Sequence, residues 1–211
     1  IAPASRYRKS TSINIGRNLL EGFEPGLVLP GQMSPEAFVK HLAEEKPYGV
    51  FVWNELSSQL EAFDHRSYMR GYKSDLTDLY DCPEVWSRRT QADGLIKIEK
   101  PFVSIMTAST QEWLNSCLSE GDLKGGFLPR FIWVLAFRKN RFMAWPMAQD
   151  LTQRDSLVEG LDRFNRKIQG GLTVDTKARA LYADYVQVLE QESMASSAEG
   201  ILGAFFSRLS I

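Results

Sequence analysis

The chain of 211 residues is short of several things, and each shortage narrows the field. It has two cysteines, Cys82 and Cys117, too few for a disulfide framework. With only His41 and His65 beside them they form no zinc-binding spacing, so a reduced, cytoplasmic protein is the reading they favour. No apolar run approaches the ~20 residues that span a membrane, which argues against a membrane protein. No signal-peptide pattern opens the chain: Arg6, Arg8 and Lys9 are followed by polar residues, not by an apolar core. An excess of charge of either sign is also missing, with a formal net charge of -1. That argues against a broad basic surface but leaves room for nucleic acid in a local groove or ring channel.

What is present is ordinary for a folded protein, 44% hydrophobic and 24% charged. Both ends read as cut from a longer chain: Ile1-Ala2-Pro3 opens without a preceding element, and an amphipathic stretch around Phe205–Leu209 stops abruptly. The most informative stretch is Gly49-Val50-Phe51-Val52-Trp53-Asn54-Glu55. A short apolar run after a glycine turn is the pattern of a strand buried on both faces, and it ends in two polar residues. In open α/β sheets ligands sit beyond the carboxyl ends of strands, where Asn54 and Glu55 would emerge. Buried strands also end in acids with no chemistry attached.

Around this strand the pattern alternates. Lys9-Ser10-Thr11 opens a helical stripe through Ile13, Leu19 and Leu20. A Lys-Ser/Thr at a helix start is how phosphate is held in a P-loop, where backbone N–H groups and the helix dipole favour negative charge. Against G-x-x-x-x-G-K-[ST], Pro3 and Arg8 occupy the two glycine positions, and a basic helix start on the surface is the plainer alternative. Leu27–Leu29 is a short strand candidate. Ser34-Pro35-Glu36 then has the N-cap, N1 proline and first-turn acid of a helix start, with His41 as a packed histidine on its apolar face. Leu56, Leu60 and Phe63 mark a helix, 64–73 a loop, and Leu76, Leu79 and Tyr80 a short helix. Residues 85–90 and 95–99 form a hairpin through Asp93-Gly94. In it, Arg88 and Arg89 beside Trp86 could meet a nucleic-acid backbone, or simply face solvent.

Phe102–Met106 is a second buried strand, ending in Thr107-Ala108-Ser109-Thr110. Trp113, Leu114, Cys117 and Leu118 stripe the next helix, which makes Cys117 a core residue more than a nucleophile. A glycine-rich loop delivers Arg130 before a third expected buried strand, Phe131–Phe137. The rest reads as helical: Leu157, Leu161, Phe164 and Ile168 mark one helix, Leu181, Tyr182, Tyr185, Val188 and Leu189 another. Ser196-Ser197 links to a last, truncated helix.

Lys-Ser-Thr at a helix start, a strand ending in an acid, another ending in Thr/Ser and an Arg before a third strand follow one another in the order of parts in ring-forming P-loop ATPases. The sequence resembles the helicase-like ATPase domain of primase-helicase replication proteins of phages, prophages and plasmids. The likeness is carried by Arg8–Thr11, Ser34-Pro35-Glu36, Trp53–Ser57, Ile98–Ile105 and Gly125–Phe131, with Gly200–Leu202 and Phe206–Leu209 also fitting. It implies an α/β fold: a RecA/AAA-like P-loop NTPase core with a mostly parallel sheet over 1–148, lacking its first strand, then a helical segment over 149–211.

The resemblance also implies roles. Lys9 contacts the β- and γ-phosphates of ATP, Ser10 ligates Mg²⁺, and Thr11 supports them. Glu55 polarises the attacking water, and Asn54 stands where the family usually has Asp. Thr107 or Ser109 senses the γ-phosphate. Arg130 is the candidate finger reaching a neighbouring subunit's ATP. Implied partners are DNA, single-stranded in a ring channel, further copies of the chain up to a hexamer, and a primase or polymerase domain in the same longer chain. Pro3, Arg8 and Asn54 leave open a module that binds nucleotide, or scaffolds, without turning it over.

Overall fold

The computed structural model describes residues 1, 9–69, 71–90, 93–117, 126–136, 150–171 and 173–195. It is a mixed α/β protein with a small parallel sheet of three strands. Helix α1 (Lys9–Phe23) leads to β1 (Val28–Leu29), α2 (Pro35–Glu44), β2 (Tyr48–Trp53) and α3 (Leu56–His65). A 3-10 turn (Ser67–Met69) and α4 (Tyr72–Tyr80) precede a hairpin, β3 (Val85–Thr90) and β4 (Gly94–Glu99). Then come β5 (Phe102–Thr107), α5 (Gln111–Cys117), a 3-10 turn (Leu128–Arg130), α6 (Leu151–Lys167) and α7 (Thr176–Ala195). The chain divides into two compact units, one of residues 1–117 and 133–166, the other of 118–132 and 167–211.

The order β1-β2-β5 puts β2 in the centre, parallel to both neighbours. Val50 pairs with Val28 and Ser104, and Trp53 with Thr107, so β2 and β5 end level. Because side chains alternate across a strand, β2 has two different faces. Phe51 and Trp53 project to one side. There Phe51 meets Phe38 of α2 at 5.3 Å between ring centres, and Tyr72 of α4 contacts Phe38, Phe51 and Phe63. Trp53 stacks on Phe51 at 5.1 Å and sets its edge against Phe63. Tyr72 is only 2% exposed, so the core reaches into a stretch that the sequence reads as a loop. Its polar neighbours Asp64, Arg66 and Lys73 hide a single aromatic anchor.

Gly49 lies inside β2, and its role is close approach to a neighbour. A Cβ there would come within 2.7 Å of Leu29 Cγ and Cδ2, and Leu29 is buried with little room to yield. Helix α2 starts as its sequence dictates: Ser34 Oγ accepts from the Ala37 N–H at 3.2 Å, and Pro35 takes the first turn. Its His41 packs with Nδ1 3.3 Å from Glu45. Asp150 and Asp175 cap α6 and α7 in the same way, through the Gln153 and Ala178 N–H groups. Leu157, Leu161 and Phe164 stay exposed along α6, as do Leu181, Tyr182, Tyr185 and Val188 along α7.

The expected third buried strand is not one. Residues 131–136 carry no strand pairing, and Ile132 and Val134 are 95% and 75% exposed. An apolar run alone does not choose its partner. One strand-like link does occur. The Ile1 amino group donates to the Val134 carbonyl at 2.6 Å, and the Ala136 N–H donates to the Ile1 carbonyl at 2.9 Å. Those are the two flanking bonds by which one residue joins a parallel neighbour. Residues Pro3 and Arg8, Gly125, Phe137, the Ser196-Ser197 link and the segments around Gly200 and Phe206 lie outside the described residues.

Replacing Gly49 with Ala should destabilise the protein by ~1–3 kcal/mol, the range for an added methyl in a packed site. Urea unfolding measures it; an unchanged midpoint would show that Leu29 swings aside at no cost.

Candidate functional site

Helix α1 presents its i, i+4, i+8 stripe to the sheet. Ile13 on that stripe is buried. Gly16 gives space to Met106 of β5, whose Sδ and Cε would lie about 3 Å from an added Cβ. Arg17 Nη2 donates to the Val52 carbonyl at 2.7 Å and ties α1 to the central strand. Lys9 occupies the first position of the same stripe, so its amine is directed inward over the carboxyl end of β2. There Lys9 Nζ donates to Glu55 Oε2 at 3.0 Å, joining residues 46 positions apart. The side chains are 12% and 18% exposed.

Glu55 is held by the turn it occupies. It takes extended backbone angles just ahead of α3, and its carboxylate caps nothing. One oxygen takes the lysine, while Oε1 is buried with no hydrogen-bond partner among the described residues. A buried carboxylate oxygen with spare capacity is costly unless something else completes it. The next residues lock the turn: the Leu56 N–H donates to the Ala108 carbonyl at 2.8 Å, and the Ser57 and Ser109 hydroxyls share a buried 2.7 Å hydrogen bond. The loops after β2 and β5 are thereby stitched together behind the Lys9–Glu55 pair.

The remaining expected residues fall into two groups. Thr107 ends β5 level with Trp53, and its hydroxyl is buried without a partner among the described residues. Ser10, Thr11 and Asn54 are exposed. Ser10 follows Lys9 on the helix but lies off the inward stripe. Ser109 is 2% exposed and committed to Ser57. The spacing alone could not separate Thr107 from Ser109, because both follow the same strand.

Arg88 and Arg89 sit elsewhere, and Arg130 belongs to the second unit. Arg130 closes the 3-10 turn of the second unit, with Nη1 donating to the Gly126 carbonyl at 2.6 Å. Arg88 on β3 ion-pairs with Asp75 of α4 and lies 3.9 Å from Glu36 of α2, so its charge helps fix the hairpin. Arg89 alternates to the other side of the strand and pairs in the ladder with Leu95. Burial pushes the Asp75 carboxyl up to about 6, against the opposing pull of Arg88. Cys117, whose Sγ donates to Glu61 at 3.1 Å, has its thiol pushed up by burial and by that hydrogen bond. That is the wrong direction for a nucleophile.

Sequence reasoning missed Arg17 and Tyr72. Arg17 carried a signal in its i+8 spacing from Lys9; Tyr72 carried none. Among the described residues, no group of three or more His, Cys, Asp or Glu could hold a metal, and no helix is long and apolar enough to cross a membrane. The chain matches no protein-family profile, no curated protein and no solved structure.

Two outcomes are expected here. Lys9→Met should cost ~1–2 kcal/mol by leaving the Glu55 carboxylate half-buried and unpaired, and adding Glu55→Gln should recover part of it. A double-mutant cycle in urea reads this directly, and additive losses would mean the pair is not coupled. Asp75 should titrate with a midpoint about 6, followed by carboxyl NMR. Because its folded value lies above the unfolded one, its contribution to stability is fully present below pH ~4 and lost as the pH rises through about 6. A midpoint at or below 4 would show that the Arg88 charge outweighs burial.

Proposed function

We propose that this chain is a P-loop ATPase module of the helicase or translocase type, part of a DNA-replication protein of the primase-helicase kind. The observation that carries the reading is the 3.0 Å approach of Lys9 Nζ to Glu55 Oε2 at the carboxyl edge of a parallel sheet. An ammonium at a helix start and a carboxylate at the end of the neighbouring strand are the two charges a nucleotidase needs on either side of a terminal phosphate. The level ending of β2 and β5, at the edge where ligands sit in parallel sheets, also supports the reading.

In this reading ATP is the substrate. Lys9 exchanges Glu55 for the β- and γ-phosphates, and the released carboxylate, with Oε1 already lacking a partner, orients the attacking water. Thr107, not Ser109, is the γ-phosphate sensor, because the Ser109 hydroxyl is spent on Ser57. Ser10 and Asn54 are the residues that would offer oxygens to Mg²⁺, a hard cation that keeps several of its waters, and both stand exposed near the Lys9–Glu55 pair in sequence. Bound with the nucleotide, Mg²⁺ neutralises phosphate charge. Arg130 acts on the nucleotide of a neighbouring copy in a ring that encircles single-stranded DNA. Arg89 is the better placed of the hairpin arginines to touch that strand, since Arg88 is committed to Asp75.

A second reading has its own support. Lys9 is already paired with Glu55, Asn54 stands where the resemblance expects an acid, and Pro3 and Arg8 stand at the glycine positions of the loop. A module that binds or scaffolds without turnover fits those features.

Phosphate release in the presence of DNA separates the two. Lys9→Ala should abolish nucleotide binding, and Glu55→Gln should retain binding while lowering turnover ~100-fold or more, the scale of a lost general base. Labelled ATP that binds the wild type without release of phosphate would favour the scaffold. Full turnover in both variants would end the ATPase assignment.

A further inference from the structure

On the Phe51–Trp53 face of β2, between the loop after β1, helix α3 and the 3-10 turn, lies a cavity of about 250 Å³. We propose that it is a binding site for a small planar heteroaromatic anion: a flat ring bearing hydrogen-bond acceptors, with one anionic substituent. The proposal is independent of the ATPase reading, since none of its residues belongs to the Lys9–Glu55 site.

Shape and chemistry agree on that class. Phe51, Trp53 and Tyr72 supply an aromatic wall, and Tyr68 is exposed at the rim. Flat ligands stack on such walls in offset or edge-on geometry. Two of these lining residues carry buried polar atoms. Trp53 Nε1 and the Tyr72 hydroxyl have no hydrogen-bond partner among the described residues, although the residues are only 3% and 2% exposed. Tyr and Trp usually find a partner when buried; both of these donors belong to residues of the cavity wall but are themselves closed to solvent, so a ring seated there reaches them by a small shift of the wall. Indole N–H can only donate. The Tyr72 phenol is protonated at neutral pH, as an ordinary phenol is, and burial raises it further.

The charge of the ligand follows from the lining. Among the described residues no Asp or Glu contributes to it, and Arg66 is the one charged residue of its lining. Arg66 is exposed and donates to the Tyr68 hydroxyl at 3.0 Å, and no carboxylate among the described residues pairs with it. A guanidinium at the rim of an aromatic slot is the geometry for a phosphate or carboxylate that stays near water while its ring is buried. The volume admits one ring system of nucleobase size and little more. A mononucleotide and a heteroaromatic carboxylate both have this chemistry.

Saturation-transfer NMR with AMP, with pyridine-3-carboxylate and with uncharged adenosine tests the site. At least one of the two anions should bind with Kd of ~1 mM or tighter. Its binding should weaken ~5-fold in Tyr72→Phe or Trp53→Phe, the scale of one neutral hydrogen bond. Arg66→Gln should weaken the anion ~10-fold or more and leave adenosine unchanged, as expected for a charged partner. Arg66 is exposed, so this variant folds irrespective of the core, and thermal melts check the other two. Which anion binds identifies the source of the ligand. Lys9→Ala should leave the signal intact; if Lys9→Ala removes it and Tyr72→Phe and Arg66→Gln do not, the ring is bound at the Lys9–Glu55 site and the proposal is wrong. No transfer to either anion at millimolar concentration also overturns it.

Discussion

Everything at the carboxyl edge depends on β2 being the central strand of a parallel sheet. A strand flanked on both sides and covered on its Phe51–Trp53 face has no freedom in register, because a one-residue slip would exchange Phe51 and Trp53 for Val50 and Val52. Gly49 sharpens the constraint by letting Leu29 lie across the start of the strand. Once the register is fixed, the residue that leaves the sheet is Asn54 and the one that turns into α3 is Glu55. Their position is a consequence of core packing, and no bond of their own is needed to set it.

The two faces of β2 then do different things. Val52 faces α1, whose inward stripe of Lys9, Ile13, Gly16 and Arg17 ends in an ammonium at the edge of the sheet. Phe51 and Trp53 face α2, α3 and α4, where the aromatic cluster with Phe38, Phe63 and Tyr72 leaves a cavity instead of closing completely. Aromatic rings meet tilted or edge-on, and tilted plates leave gaps that aliphatic side chains would fill. The same six residues therefore support an ion pair at their carboxyl end and an aromatic-walled cavity on one face.

The loops behind the ion pair are rigid for a reason that is also polar. A shared Ser57–Ser109 hydrogen bond in a dry environment and the Leu56–Ala108 backbone bond leave the turns after β2 and β5 one arrangement. That fixes the carboxylate of Glu55 without a hydrogen bond to its own helix. The hairpin is anchored differently, by the Arg88–Asp75 pair and by Trp86 packed across from Ile98, so its arginines are not equivalent.

By itself the sequence determined the local elements. Ser34-Pro35-Glu36 began a helix, Val50–Trp53 and Phe102–Met106 made strands, Asp93-Gly94 turned a hairpin, and Leu157 and Leu181 marked helices. Each of these follows from caps, periodicity and turn chemistry that act over a few residues. It also determined that Lys9 and Glu55 would stand at element ends, the positions where charges can be used. Only the tertiary structure decided what met what. It tied Lys9 to Glu55, spent Ser109 on Ser57 and Arg88 on Asp75, drew Tyr72 out of an apparent loop into the core, and left the apolar run 131–136 out of the sheet. Those outcomes turn on contacts between residues far apart in the chain, where the gain from burial or pairing is set by the partner, and no local pattern records the partner.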